Sequence, residues 1–308
     1  MVGARAYGVA SRVVSTSIAR TPARGLALIP ALLGLVRFAH TIFALPFALA
    51  GAVFAQMAWP PAGRFAWIGV AMVGARSLAM ALNRLIDHRI DARNPRTAGR
   101  ELPSGRLTPT QVVIFAVVSL AALVASTSQL AEPTRYLWPV PVAMFWIYPY
   151  VKRISWTCHL VLGLTIGLAP VGAWLAVTGE VTWATIALGL AVACWIAGFD
   201  IVYALLDVDF DVAHGVHSIP ARFGARRALW FTRALHLAAG LLLVAVGIGV
   251  DARWPYFVGV ALCAAVLVVE NMIIRSGRPD RINAAFSHAN IALSVIFAAT
   301  VVAEVALR

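Results

Sequence analysis

The chain has 308 residues, of which 61% are hydrophobic and only 12% charged, with a formal net charge of +12 and a mean hydropathy of +0.84. Soluble domains run roughly 45–50% apolar and about 25% charged, so this composition excludes a water-soluble protein and predicts an all-α, polytopic membrane protein. Arginine-rich loops on one membrane face explain the basic balance, and nucleic acid is not an implied partner. Cys158, Cys194 and Cys263 lie in apolar runs without metal-ligand spacing and read as packing residues.

Residues 1–25 are basic, contain several Ser and Thr and have no acid. They read as a cytoplasmic tail, with a mitochondrial transit peptide as the alternative. Residues 26–308 form a single transmembrane domain. About twenty apolar residues cross a bilayer core, and apolar runs fall near 28–57, 65–91, 110–131, 136–152, 158–178, 182–208, 228–250, 254–274 and 284–305. Turn chemistry separates them, in WPPAGR, AEPTR, TGE, DARWP and SGRPD. The expectation is about nine helices bundled around a central cavity, the fourth being the shortest.

With the N-terminus inside, the inner segments carry sixteen Arg and Lys residues and the outer segments four: Arg64, Arg135, Arg253 and Arg308. The positive-inside rule then puts the N-terminus and the long loops in the cytoplasm. Lys152 is the sole lysine. Such Ala-, Val- and Arg-heavy usage points to a GC-rich bacterium and its cytoplasmic membrane.

The second run ends in NRLIDHRIDARNPRTAGRELPSGR, where Asn83, Asp87 and Asp91 are spaced i, i+4, i+8. On a helix they make one stripe drifting by about 40° per step. A solvated helix end is the bland explanation, but the macrodipole disfavours anions at a C-terminus, and charges in membrane segments usually face a cavity. The sixth run ends in FDIVYALLDVDFDVAHGVHSIPARFG, with Asp207 and Asp211 four apart and Asp200 earlier. Asp87 to Asp207 and Asp91 to Asp211 are both separations of 120 residues, and each pair precedes a polar loop. The pattern reads as a duplicated helix–loop unit.

Two facing acidic stripes suit a hard divalent cation. Mg²⁺ typically takes one or two carboxylates plus substrate phosphates, and between carboxylates it grips a leaving diphosphate. Arg93, Arg96, Arg100 and Arg222 in the following loops suit phosphate contacts. The apolar bundle above accommodates a lipid tail. The residues thus point to a lipid diphosphate bound through Mg²⁺ at the cytoplasmic face.

At these residues the chain resembles the UbiA superfamily of intramembrane prenyltransferases. NRLIDHRID is similar to its N-x-x-x-D-x-x-x-D motif and DIVYALLDVDFD to its second motif, D-x-x-Y-x-x-x-D-x-x-x-D. Tyr148 and Lys152 in YPYVK fit its Y-x-x-x-K element, and HTIFALPFA, ARNPRTAGRELPSG and HSIPARFG resemble the 4-hydroxybenzoate polyprenyltransferase branch. Many relatives have Asn-Asp where this chain has Asn83-Arg84. The resemblance implies two Mg²⁺ ions, one at Asn83, Asp87 and Asp91 and the other at Asp207 and Asp211. It implies departure of diphosphate from a polyprenyl diphosphate and attack by an aromatic ring, that of 4-hydroxybenzoate in quinone biosynthesis. A naphthoate-type acceptor for menaquinone is the alternative.

Lys152 and Arg153 suit an acceptor carboxylate or the diphosphate. Arg37, Tyr148, Asp200 and Tyr203 read as pocket residues, and His40 as a structural hydrogen-bonder. Asp209, off the stripe, reads as solvated. Asn271, Asn283, His288 and Asn290 read as helix-to-helix glue. A secondary transporter would also bury carboxylates, but near the midplane and on broken helices.

Overall fold

The computed structural model describes residues 21–37, 41–275 and 279–308. Residues 1–20 of the basic tail, and His40, lie outside the described residues. The described chain folds as α1 (Leu28–Leu35), α2 (Thr41–Phe54), α3 (Ala62–Arg93), α4 (Pro109–Thr127), α5 (Thr134–Leu137), α6 (Pro139–Val151), α7 (Cys158–Thr178), α8 (Trp183–Ala204), α9 (Val208–His214), α10 (Ile219–Gly249), α11 (Trp254–Ile274) and α12 (Pro279–Ala306). No strand occurs among the described residues.

All nine apolar runs contain helix, and among the described residues seven helices are long and apolar enough to cross a membrane. The protein is an integral membrane protein. Two runs depart from uninterrupted spans. The first contains two helices, α1 and α2, with Arg37 at a positive φ of 46° just beyond α1. The fourth holds the end of α5 and then the 13-residue α6, which starts at Pro139 and contains Pro149 near its end. At 1.5 Å per residue it rises about 20 Å, short of the roughly 30 Å hydrocarbon core.

Helix ends follow local sequence chemistry. Thr108 and Thr182 form capping boxes with Gln111 and Thr185, and the Ser218 hydroxyl accepts from the Ala221 N–H ahead of α10. Each satisfies backbone donors that a helix start leaves orphaned. Gly179 closes α7 with φ 75°, a conformation that favours glycine.

The largely buried α8 packs against both α7 and α10. Its approach to α7 needs small residues: a Cβ on Gly163 would stand 2.2 Å from the Ala193 carbonyl oxygen. A Cβ on Gly167 would stand 2.4 Å from that of Gly189. Close backbone contact of this kind drives helix association in lipid. Beyond it Phe47 stacks on Phe297 at 4.3 Å and leans on Trp195 at 4.7 Å. Trp195 Nε1 donates to Asn290 Oδ1 at 3.0 Å, and Asn271 Nδ2 meets His236 Nδ1 at 2.9 Å. Asn271 and Asn290 are thus the interhelical ties their positions predict. His288 is exposed, and the Asn283 side chain lies outside the described residues. Apolar side chains of α4, α10 and α11, such as Val117, Leu241 and Leu262, face outward as a lipid-facing surface requires.

Candidate active site

The first acidic motif occupies the last three turns of α3, and both of its aspartates are buried despite their charge. Burying an anion is tolerable only when cations and donors surround it. Asp87 Oδ2 accepts from Lys152 Nζ at 2.5 Å and from Asn83 Nδ2 at 2.7 Å, while Arg153 Nη2 lies 3.4 Å from Oδ1. Asp91 is gripped by Arg100 Nη1, at 2.7 and 2.8 Å from its two oxygens, with Arg84 Nη1 3.7 Å away. Arg84 Nη1 also donates to Asn83 Oδ1 at 3.3 Å. Arg84 therefore works inside the motif, reaching both Asn83 and Asp91.

The second motif is built differently from the first. The sequence predicts one continuous helix through Asp207, but α8 ends at Ala204 and a 3-10 turn over Leu205–Asp207 precedes α9. Asp207 sits at that junction with φ −113° and ψ 6°. The break turns its carboxylate to the loop after the first motif. There Arg96 Nε donates to Oδ1 at 2.8 Å, Arg96 Nη2 to Oδ2, and Asn94 Nδ2 to Oδ1 at 3.0 Å. Arg96 Nη1 also donates to the Tyr203 hydroxyl at 2.6 Å, its guanidinium lying 4.6 Å above that ring. Burial opposes the Arg96 charge, but the hydrogen bonds to Asp207 outweigh it and hold the guanidinium pKa above its ordinary value. Asp211, buried in α9, accepts from the Ser218 hydroxyl at 2.8 Å.

The two motifs therefore face one another across a short distance. Lys152, at the end of α6, joins them again: it binds Asp87, and its carbonyl accepts from the His217 N–H at 2.7 Å, in the loop after Asp211. Deeper in the bundle Tyr148 is within electrostatic reach of Asp87, Asp200, Arg84 and Arg76. Arg37 and Arg100 act likewise on Arg84. The predicted residues Asn83, Asp87, Asp91, Arg96, Arg100, Lys152, Tyr148, Asp200, Tyr203, Asp207, Asp211 and Arg37 all border this region. Arg93 and Arg222 stand apart: both are exposed, and Arg222 lies 5.5 Å over the Phe223 ring. Asp209 is exposed, as its position off the stripe predicts.

Sequence reasoning missed several partners. His159, near the start of α7, places Nδ1 2.6 Å from Asp200 Oδ2, while its Nε2 accepts from the Ile219 N–H at 3.2 Å. Nδ1 is thus the nitrogen directed at Asp200, and a proton there donates to that carboxylate. Arg76, Asn94 and Ser218 also escaped notice. Packing alone brings His159 to Asp200 and Asn94 to Asp207, so no local pattern announces these contacts.

Among the described residues no group of three or more His, Cys, Asp or Glu side chains forms a metal cluster. Each motif instead offers two carboxylates, the first with an amide, and all are hard oxygen donors. That set fits Mg²⁺, which needs few protein carboxylates when phosphate oxygens and water complete its shell. It does not fit a metal that selects His or Cys.

The UbiA prenyltransferase family model matches residues 44–294. The chain belongs to this family. It is 31% identical over 228 residues to the 4-hydroxybenzoate octaprenyltransferase of Tolumonas auensis, covering 74% of this chain and 79% of that protein. To the mitochondrial 4-hydroxybenzoate polyprenyltransferase of Arabidopsis thaliana it is 31% identical over 203 residues, 66% of this chain and 50% of that longer protein. The apo structure of a UbiA homolog from Aeropyrum pernix K1 superposes with a TM-score of 0.78 at 32% identity, covering 86% of this chain and 97% of that one. A homolog from Archaeoglobus fulgidus bound to GPP and Mg²⁺ shares the fold, with a TM-score of 0.69 at 20% identity over 90% and 99% of the two chains. This UbiA family member is accordingly a membrane prenyltransferase of the aromatic polyprenyltransferase type.

Proposed function

We propose that the protein transfers a polyprenyl group from polyprenyl diphosphate to 4-hydroxybenzoate, in quinone biosynthesis, at the site between the two acidic motifs. The observation that carries this reading is the convergence of those motifs, joined by Arg96 and Lys152, at one end of the helix bundle. The names of the relatives from Tolumonas and Arabidopsis support the acceptor.

Asn83, Asp87 and Asp91 would hold one Mg²⁺, and Asp207 and Asp211 a second. The metal supplies charge withdrawal from a departing diphosphate. Arg96, Arg100 and Lys152 each neutralise one of these aspartates, and they turn to phosphate oxygens when the diphosphate enters. Their donors then bear on charge that grows as the carbon–oxygen bond breaks, where such contacts lower the barrier. Arg76, a cation on α3 within electrostatic reach of Tyr148, suits the acceptor carboxylate. Asp200, oriented by the His159 Nδ1–H, accepts from the acceptor hydroxyl.

The motif end faces the cytoplasm in this reading, as the arginine distribution requires, and the membrane is the bacterial cytoplasmic membrane. Incubating the purified protein in lipid with labelled prenyl diphosphate, Mg²⁺ and a panel of aromatic acids tests the assignment. Prenylated 4-hydroxybenzoate is the expected product. Exclusive labelling of a hydroxynaphthoate would replace the acceptor.

A further inference from the structure

A groove of about 670 Å³ runs along the outside of the bundle between α3, α4 and α6. None of the motif aspartates lines it. On α3 it is lined by Leu78, Leu82 and Arg89, and Arg89 lies two positions, about 200° round the helix, from Asp87. Its other walls include Val113 and Val117, which are exposed on the lipid-facing surface.

The groove is amphipathic along its length. Its apolar floor ends at a basic mouth formed by His88, Arg89 and Arg153, and no acid lines it. The Arg153 guanidinium lies 5.0 Å over the Tyr150 ring, and its Nη2 donates to the Ile86 carbonyl at 2.6 Å, which holds the charge at the rim. His88 Nδ1 is buried there with no hydrogen-bond partner among the described residues. From Arg89 back to Leu78 α3 rises about 16 Å, close to the depth of one bilayer leaflet. The mouth lies on the same membrane side as the acidic motifs, where headgroups sit when one acyl chain fills that depth.

We propose that this groove binds one anionic glycerophospholipid of the surrounding bilayer. Its phosphate sits among Arg89, Arg153 and His88, and an acyl chain lies along Leu78, Leu82, Val113 and Val117. Charge decides the class: basic side chains between transmembrane helices recognise anionic headgroups. A zwitterionic lipid would bring a second cation to a mouth that offers no acid. The site also touches the catalytic one, since the Arg153 that meets the phosphate lies 3.4 Å from Asp87.

The test is native mass spectrometry of the full chain released from nanodiscs of mixed phosphatidylcholine and phosphatidylglycerol. The wild type is expected to retain one phosphatidylglycerol in excess of its share of the bilayer. Arg89→Gln removes an exposed charge that touches none of the motif acids, and should cut that enrichment about fivefold while leaving prenyl transfer in place. Val117→Trp, at a lipid-facing position where added bulk does not disturb the core, should abolish retention by filling the chain's seat. Undiminished retention in both variants, or no preference in the wild type, overturns the proposal. A raised KM for prenyl diphosphate in Val117→Trp also overturns it, because the groove would then belong to the substrate's tail.

Discussion

Arg96 and Asp207 lie 111 residues apart in sequence, yet the guanidinium of one meets both carboxylate oxygens of the other. The contact closes the site, because the loop that leaves the first motif becomes the clamp on the second. Arg96→Ala should lower kcat/KM for prenyl transfer roughly thirtyfold, as about 2 kcal/mol is lost when one member of a hydrogen-bonded charge pair is removed. Arg96→Lys keeps the charge but cannot span Asp207 and Tyr203 with a planar fork, so an intermediate loss is expected. Steady-state kinetics with both substrates varied checks the series.

How far this site was legible in the sequence follows from which contacts are local. Asn83, Asp87 and Asp91 share one face of a regular helix, so their spacing alone predicts their meeting. Asp209 was separable from Asp207 and Asp211 on the same grounds, although the 3-10 turn at Leu205–Asp207 breaks the helix that the argument assumed. Hydropathy likewise marked α3, α4, α7, α8, α10, α11 and α12, but neither α9 nor the division of the first run into α1 and α2. His159 on α7, the plainest of the missed residues, depends on how close α7 and α8 approach. That approach is set by Gly163 and Gly167, and no periodicity in α7 reveals which side chain it brings to Asp200.

Activity should require a hard divalent cation. The donor set holds carboxylates and an amide without His or Cys, so the binding of the diphosphate and the metal are coupled. Excess EDTA is expected to abolish prenyl transfer and Mg²⁺ to restore it, measured as product formed from labelled prenyl diphosphate. Full turnover in EDTA would refute the metal assignment.

The arginine distribution predicts that Arg5 and Arg308 lie on opposite sides of the membrane, with Arg5 in the cytoplasm. Single cysteines placed at those positions, in a background without the native cysteines, should label from opposite sides with an impermeant maleimide. Labelling from the same side would mean an even number of crossings.

Asp87, Asp91, Asp207 and Asp211 are the acids assigned to the reaction. Changing each to Ala should slow turnover by about 10²–10³-fold, in the range for lost transition-state electrostatics. Asp209→Ala is the control: the residue is exposed, and its loss should cost no more than about 0.5 kcal/mol. Size-exclusion profiles in detergent separate lost chemistry from lost folding. The control matters most for Asp87, whose removal leaves Lys152 without its buried partner. Equal losses at Asp207 and Asp209 would mean that general loop acidity, not geometry, drives the rate.

His159 tests whether Asp200 works on the aromatic acceptor. The imidazole accepts from the Ile219 N–H and donates to Asp200, so it ties the first turn of α10 to a carboxylate of α8. His159→Ala removes both bonds and leaves a buried backbone N–H unsatisfied, at a cost of about 1–3 kcal/mol. His159→Gln retains one donor and one acceptor and should recover part of that loss. If Asp200 binds the acceptor hydroxyl, His159→Ala raises the KM of the aromatic acid and lowers kcat, while the KM of the prenyl diphosphate stays near its wild-type value. The two Michaelis constants, measured with the other substrate saturating, decide the matter. A parallel rise in both would mean that His159 only holds α7, α8 and α10 together, and the acceptor role of Asp200 would fall with it.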